Sequence, residues 1–261
     1  MRNVRAKSKL AEIQRSGRVP RGIFIASLDP AVTVIVGRVG YDFAIIDGEH
    51  GRFSLADIDS HVRACDQTGL IPIVRVLENR PTLIQSVLDA GAQGIMVPHL
   101  GSGEEAQRAV DSARYGPEGR RSMCASCYAG GYEFDGWSHW SDHAAQSNAN
   151  VMIIPIIESA AGVENIDDIV AVDGIDFVMF GAADLAGDMG IDVNTEFGAI
   201  EAAWQKVQIA VRSAGKGLIN MAGGIAGLSS GADLLIDLPD LMILHDVLRA
   251  RMQEHSVSSA S

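Results

Sequence analysis

Short apolar blocks punctuate the chain at 22–27 (GIFIAS), 42–47 (DFAIID), 71–76 (IPIVRV), 94–98 (GIMVP), 151–157 (VMIIPII), 177–180 (FVMF), 217–221 (GLINM) and 233–238 (DLLIDL). Continuous apolar runs of this length predict strands buried on both faces, as in a parallel sheet. Between them the apolar residues fall at helical spacing, over 3–18, 30 to about 39, 55–67, 81 to about 90, 104–115, 160–172, 196–214 and 240–253. Pro30 and Pro81 suit the first turn of a helix. Ser54 and Asp57 suit an N-cap and an early acidic residue. Strand and helix alternate about eight times with no linker between them. The pattern predicts an α/β protein, one (β/α)8 TIM barrel over residues 1–253, with a disordered tail at 254–261. A doubly wound sheet is the alternative, although it does not usually run to so many regular units.

Two stretches depart from this rhythm. The interval 116–150 is long and rich in Gly and Ser, and it holds Tyr128, Tyr132, Phe134, Trp137 and Trp140. A loop of that length in a compact domain is usually a lid or an oligomer contact. The last helix presents Leu241, Ile243, Leu244, Val247, Leu248 and Met252. That set is wider than the stripe of about 100° a surface helix needs. One side is expected on its own barrel and the other elsewhere, with the 3–18 helix as the alternative cover.

Charge narrows the partners. The chain has 261 residues, 21 basic against 33 acidic, for a formal charge of −12. Bulk charge of that sign disfavours nucleic acid and anionic membrane surfaces. No run approaches the roughly 18 apolar residues of a membrane span. The basic start lacks the apolar centre of a signal peptide, so a cytoplasmic location is expected. The three cysteines, Cys65, Cys124 and Cys127, do not make a disulfide framework. Cys124-x-x-Cys127 is half a zinc site with no second pair, and reads as plain thiols.

In a barrel the carboxyl ends of the strands converge on one face. That face would collect Ser27, Asp47 with His50, Arg75, Pro98-His99, Glu158, Asp184, Met221 and Asp237. Glu158 and Asp184 each follow a strand. Two such carboxylates repel unless something positive lies between them, and Mg²⁺ or Mn²⁺ is the economical answer. The alternative is two ordinary strand-end acids, with Asp184 as a helix cap. In Asp47-Gly48-Glu49-His50 a carboxylate three residues before a histidine suits ring orientation for acid–base work, or a loop histidine beside a structural acid. Arg75 ends an apolar strand and needs an anionic partner, either a substrate carboxylate or an internal acid such as Asp89 or Glu78. His139 and His143 have helical spacing but no third ligand, and read as surface histidines. The glycines at 223, 224 and 227 read as a plain turn.

The segments YDFAIIDGEHGRFSLADI (41–58), PIVRVLENRPTLIQSVLDAGAQGIMVPHL (72–100), ARYGPEGRR (113–121) and IIESAAGVENIDDIVAVDGIDFVMFGAADLAGDMG (156–190) resemble the HpcH/HpaI family of class II pyruvate aldolases. The resemblance covers about 40–240. It implies an aldolase that makes or cleaves 4-hydroxy-2-oxo acids, giving pyruvate or hydroxypyruvate and an aldehyde. Glu158 and Asp184 would hold Mg²⁺ or Mn²⁺, with Co²⁺ and Zn²⁺ as alternatives. Arg75 would bind the keto-acid oxygen, and the backbone at Gly181, Ala182, Ala183 and Asp184 the carboxylate. His50, oriented by Asp47, would be the acid–base group, supported by Asp89. The resemblance also implies a homohexamer whose last helix is exchanged with a neighbouring subunit. Three departures stand out: Ile156 replaces a common Gln, Ala182 a common Pro, and 122–140 has its own sequence. Related readings are a CoA-thioester lyase, a 2-oxo acid decarboxylase, or a non-catalytic barrel that binds an oxo acid.

Overall fold

The computed structural model describes residues 5–132, 139–192, 195–222 and 231–258. In chain order the elements are α1 (Ala6–Arg15), β1 (Arg21–Ile25), α2 (Pro30–Val39), β2 (Phe43–Asp47), α3 (Leu55–Thr68), β3 (Ile71–Arg75), α4 (Pro81–Asp89), β4 (Gly94–Val97) and α5 (Gly103–Ala113). There follow α6 (Trp140–Asn150), β5 (Met152–Ile157), α7 (Ala160–Glu164), α8 (Ile166–Val170), β6 (Phe177–Phe180), α9 (Ala182–Met189), α10 (Phe197–Ser213), β7 (Gly217–Met221), β8 (Leu234–Asp237) and α11 (Asp240–Ser258). The strands form a closed barrel in sequence order, all parallel, with β8 returning to β1. This is the expected (β/α)8 barrel. Among the described residues no helix is long and apolar enough to cross a membrane.

Local chemistry starts the helices where the spacing predicts. Pro30 opens α2 while Asp29 accepts the Ala31 N–H at 2.9 Å. Ser54 and Asp57 form a reciprocal capping box on α3. The core has two layers. Strand residues pointing outward, such as Ile46, Val74, Ile95, Ile153 and Val178, pack under the helices. Those pointing inward fill the barrel: Phe24, Ile45, Ile73, Met96, Ile154, Ile156, Met179, Ile219 and Ile236. Ala6 and Leu10 of α1 join this inner layer beside Phe43, Ile71 and Met152, so α1 plugs the amino end of the barrel. Any ligand therefore enters from the carboxyl end.

Four features differ from expectation. The helix read at 160–172 is two short helices, with Asn165 between them donating from its side chain to the Gly101 carbonyl at 2.7 Å. The interval 116–150 ends in α6, whose sequence WSDHAAQSNAN carries too few apolar residues to show a stripe. Within α6, His143 is buried against Tyr115 and Trp140, which corrects the surface reading. The expected tail is helical to Ser258, and residues 259–261 lie outside the described residues. So do the glycines at 223, 224 and 227.

The last helix is tied down mainly at its start. Asp240 accepts the N–H groups of Ala26 and Ser27 at 2.9 and 3.1 Å, and Ile243 packs against the cluster that holds Ile23 and Ile25 of β1. Leu241, Leu244, Val247, Leu248 and Met252 are exposed, from 49% to 67%. The first helix does not cover them, because it is occupied at the amino end of the barrel.

Candidate active site

Strand parity builds the site. Side chains two apart on a strand share a face. On β2, Phe43 and Ile45 point inward, so Asp47 does too. On β3, Ile71 and Ile73 put Arg75 at the mouth. On β5, Ile154 and Ile156 put Glu158 there, and on β6, Met179 puts Gly181 beside it. Register places Asp47 directly opposite Arg75.

The two make a two-pronged ion pair. Arg75 donates from Nε to Asp47 Oδ1 at 2.8 Å and from Nη2 to Oδ2 at 2.6 Å. Its Nη1 lies 3.0 Å from Glu49 Oε2, and its guanidinium sits 4.9 Å from the centre of the Phe24 ring. The internal partners are thus Asp47 and Glu49 rather than Asp89 or Glu78. Arg75 and Asp47 side chains are only 12% and 9% exposed. Breaking a buried pair from one side strands the other charge and typically costs about 3–5 kcal/mol. Arg75→Met is therefore expected to lower the urea midpoint by that order of stability. An unchanged midpoint would show that Asp47 and Glu49 do not depend on Arg75.

Glu158 lies deeper. It is buried, its Oε1 accepts the His99 N–H at 2.7 Å, and His99 Nδ1 approaches the same oxygen at 3.2 Å. On its other ring nitrogen, His99 Nε2 stands 3.2 Å from Glu49 Oε1. A Cβ on Gly181 would meet Glu158 Cβ at 2.7 Å and Oε2 at 2.9 Å, so only glycine admits the carboxylate there. Burial pushes the Glu158 carboxyl up from its ordinary range, the His99 N–H opposes this, and the charges of Glu49 and Asp184 add to the rise. His99 has φ 53°, a left-handed backbone uncommon outside glycine and typical of residues held for function.

Charge in the mouth is unbalanced. Among the described residues, Asp47, Glu49, Glu158 and Asp184 bring four carboxylates to the one guanidinium of Arg75. One ligand atom each from Glu49, His99 and Glu158 lies within 4.8 Å of the others. Carboxylate oxygens with one imidazole suit Mn²⁺, Mg²⁺, Co²⁺ or Zn²⁺. The residues fit a divalent cation. Asp184, in the first turn of α9, is exposed and outside this closest trio, although Glu158 feels its charge.

The other expected site residues are placed as follows. Asp47 does not touch the His50 ring. Its Oδ1 accepts the backbone N–H groups of Glu49 and His50, both at 3.2 Å, and so shapes the loop while the His50 side chain is exposed. Asp89 is the last residue of α4, which carries the chain from the carboxyl end of β3 back to the amino end of β4. It bonds Arg121 at 2.7 Å there, and cannot support His50 of its own chain. Gly181 caps α9 without a side-chain hydrogen bond, which leaves the first amides of that helix, at Ala182, Ala183 and Asp184, without a partner inside the helix. Ile156, only 1% exposed, is an apolar floor beneath Glu158. Spacing did not single out Glu49 or His99. Each sits in a loop after a strand, and that position was the available signal.

The HpcH/HpaI aldolase/citrate lyase family matches residues 21–224. The chain belongs to that family. It is an enzyme of the aldolase kind. A 4-hydroxy-2-oxovalerate aldolase of Novosphingobium aromaticivorans is 39% identical over 187 residues, 71% of this chain and 69% of the relative. A 2-keto-3-deoxy-L-rhamnonate aldolase of Escherichia coli O9:H4 (strain HS) is 30% identical over 254 residues, 96% and 94% of the two chains. The crystal structure of an HpcH/HpaI aldolase/citrate lyase family protein from Burkholderia cenocepacia J2315 superposes with a TM-score of 0.85 at 28% identity, covering 95% of this chain and 99% of that one.

Proposed function

We propose that the chain is a metal-dependent aldolase that interconverts 4-hydroxy-2-oxo acids with pyruvate, or hydroxypyruvate, and an aldehyde. The observation that carries this reading is the unbalanced cluster of Glu49, His99 and Glu158 beside the Asp47–Arg75 pair at the barrel mouth. Glu158 and Asp184, with Glu49 and His99 as the further donors at hand, would hold Mg²⁺, Mn²⁺, Co²⁺ or Zn²⁺. When bound, the metal supplies positive charge against the enolate oxygen that develops as a 2-oxo acid loses a methyl proton.

The remaining roles belong to side chains and backbone. Asp47 takes two of the five N–H bonds of Arg75, and with the Glu49 carboxylate beside Nη1 it locks the guanidinium plane. The others are free to stabilise the keto oxygen as charge builds on it. The amides at the start of α9 bind the substrate carboxylate, where the helix dipole favours negative charge. His50, on a loop fixed by Asp47, moves the proton of the aldol hydroxyl. Ile156 keeps water from beneath the carboxylates. Schiff-base chemistry has no lysine to use. Of the four lysines, Lys7 and Lys9 lie on α1, Lys206 on α10, and Lys216 just before β7, all away from the mouth. The test is pyruvate release from a panel of 4-hydroxy-2-oxo acids, with borohydride added. Turnover without borohydride inactivation supports the reading, and a trapped pyruvate adduct refutes it.

The same reading extends to assembly and place. We propose one cytoplasmic barrel domain working as a homo-oligomer, a hexamer, with the exposed apolar side of α11 seated on a neighbouring subunit. Nucleic acid and membranes are not partners. The stretch after Cys127 does not simply reach away, since Tyr128 bonds Asp66 at 2.5 Å and Tyr132 bonds Arg63 at 2.7 Å, both on α3. Leu244→Glu with Leu248→Glu is expected to split the oligomer without unfolding the barrel, read by light scattering and circular dichroism. Wild-type protein at 27.7 kDa, the mass of one chain, would refute the assembly. Removing 240–261 is expected to dissociate or unfold it, because Asp240 also ties down Ala26 and Ser27.

A further inference from the structure

The segment after Arg121 carries a pair of thiols that the aldolase chemistry does not use. Cys124 and Cys127 are the first and last residues of a turn whose central residues are Ala125 and Ser126. A turn brings such residues within about 7 Å between Cα atoms, the span a disulfide bridges. The turn is held from both sides. Arg121 pairs with Asp89, the Ala129 N–H donates to the Asp89 carbonyl at 3.1 Å, and Tyr128 bonds Asp66 on α3. Gly130 lets the chain fold back closely, since a Cβ there would meet the carbonyl oxygens of Ala125 and Cys124 at 2.6 and 2.7 Å.

The two sulfurs have different surroundings. Cys124 Sγ is partly exposed, lies 3.4 Å from Ser126 Oγ, and sits near the backbone N–H groups of Ser126 and Cys127. Those groups favour its thiolate and hold its pKa below the ordinary thiol value. Cys127 Sγ folds back to 3.0 Å from the Cys124 carbonyl oxygen and accepts the Gly130 N–H at 3.4 Å. Burial pushes its pKa up. One thiol is set to attack, and the other is stored beside it as a neutral group.

We propose that Cys124 and Cys127 form a reversible intramolecular disulfide by exchange with small-molecule disulfides, with Cys124 as the attacking and Cys127 as the resolving thiol. The Cys124 thiolate attacks one sulfur of glutathione disulfide. That S–S bond breaks, and one glutathione leaves as its thiolate. Cys127 then gives its proton to solvent and attacks Cys124 Sγ, and the second glutathione leaves. Two protein thiols are oxidised and one glutathione disulfide becomes two glutathiones. Cys65 is fully buried and takes no part.

The experiment treats the full-length protein with glutathione disulfide, denatures it in acid, and alkylates and maps the peptides. Three alkylated cysteines in the reduced protein become one, Cys65, with the 124–127 peptide lighter by two hydrogens; dithiothreitol restores all three. Cys127→Ser is expected to trap glutathione on Cys124, and Cys124→Ser to leave Cys127 alkylatable. Three alkylatable thiols after treatment, a persistent mixed disulfide in the wild-type protein, or a bond between two chains would each overturn the proposal. The wild-type map decides it even if a variant fails to fold.

Discussion

Chelation with EDTA is expected to abolish turnover, and Mn²⁺ or Mg²⁺ to restore it. The reason is the charge balance of the mouth. Glu158 is buried with Glu49 and Asp184 in its field, and only the His99 N–H and ring favour its ionised form. A divalent cation removes that imbalance and opposes the negative charge of an enolate. Lewis-acid stabilisation is worth several kcal/mol, and each 1.4 kcal/mol is tenfold in rate, so the expected loss is about 10³-fold or more. Glu158→Gln is expected to reproduce it with metal in excess. Full activity in chelator would remove the metal from the account.

Replacing His50 by alanine is expected to slow proton transfer by about 10²–10⁴-fold, the usual size of an acid–base contribution. Metal affinity should be unchanged, because the His50 side chain is exposed and outside the Glu49, His99 and Glu158 group. Asp47 binds the loop through the His50 N–H, so the backbone should survive the substitution. Single-turnover measurement of pyruvate release checks the rate, and calorimetry with Mn²⁺ checks the metal. An unchanged rate would make His50 an ordinary loop residue and move the proton to another group of the mouth, such as His99.

What the chain reveals before folding depends on whether periodicity governs it. The strands were legible because a parallel strand buried on both faces is a short apolar run, and the alternating pleat then puts Asp47, Arg75 and Glu158 at the mouth. Ser54 and Asp57 were legible because a capping box is local. His99 was not assigned a role, since its ring reaches Glu158 and Glu49 only through a left-handed backbone that spacing does not encode. Glu49 sat unassigned between two residues of more evident chemistry. Asp89 was assigned its supporting role from the resemblance alone, and periodicity does not convey that α4 returns it to the amino end of its own barrel, beside Arg121. His143 was read as exposed because the helix that buries it has no apolar stripe.

The most direct test follows the methyl protons of pyruvate by NMR in D₂O, with no aldehyde present. Enolate formation alone then exchanges them for deuterium. The account predicts exchange by the metal-loaded protein, loss of exchange in EDTA, and loss with Glu158→Gln. Exchange at the same rate in EDTA, or none from metal-loaded wild-type protein, would contradict it.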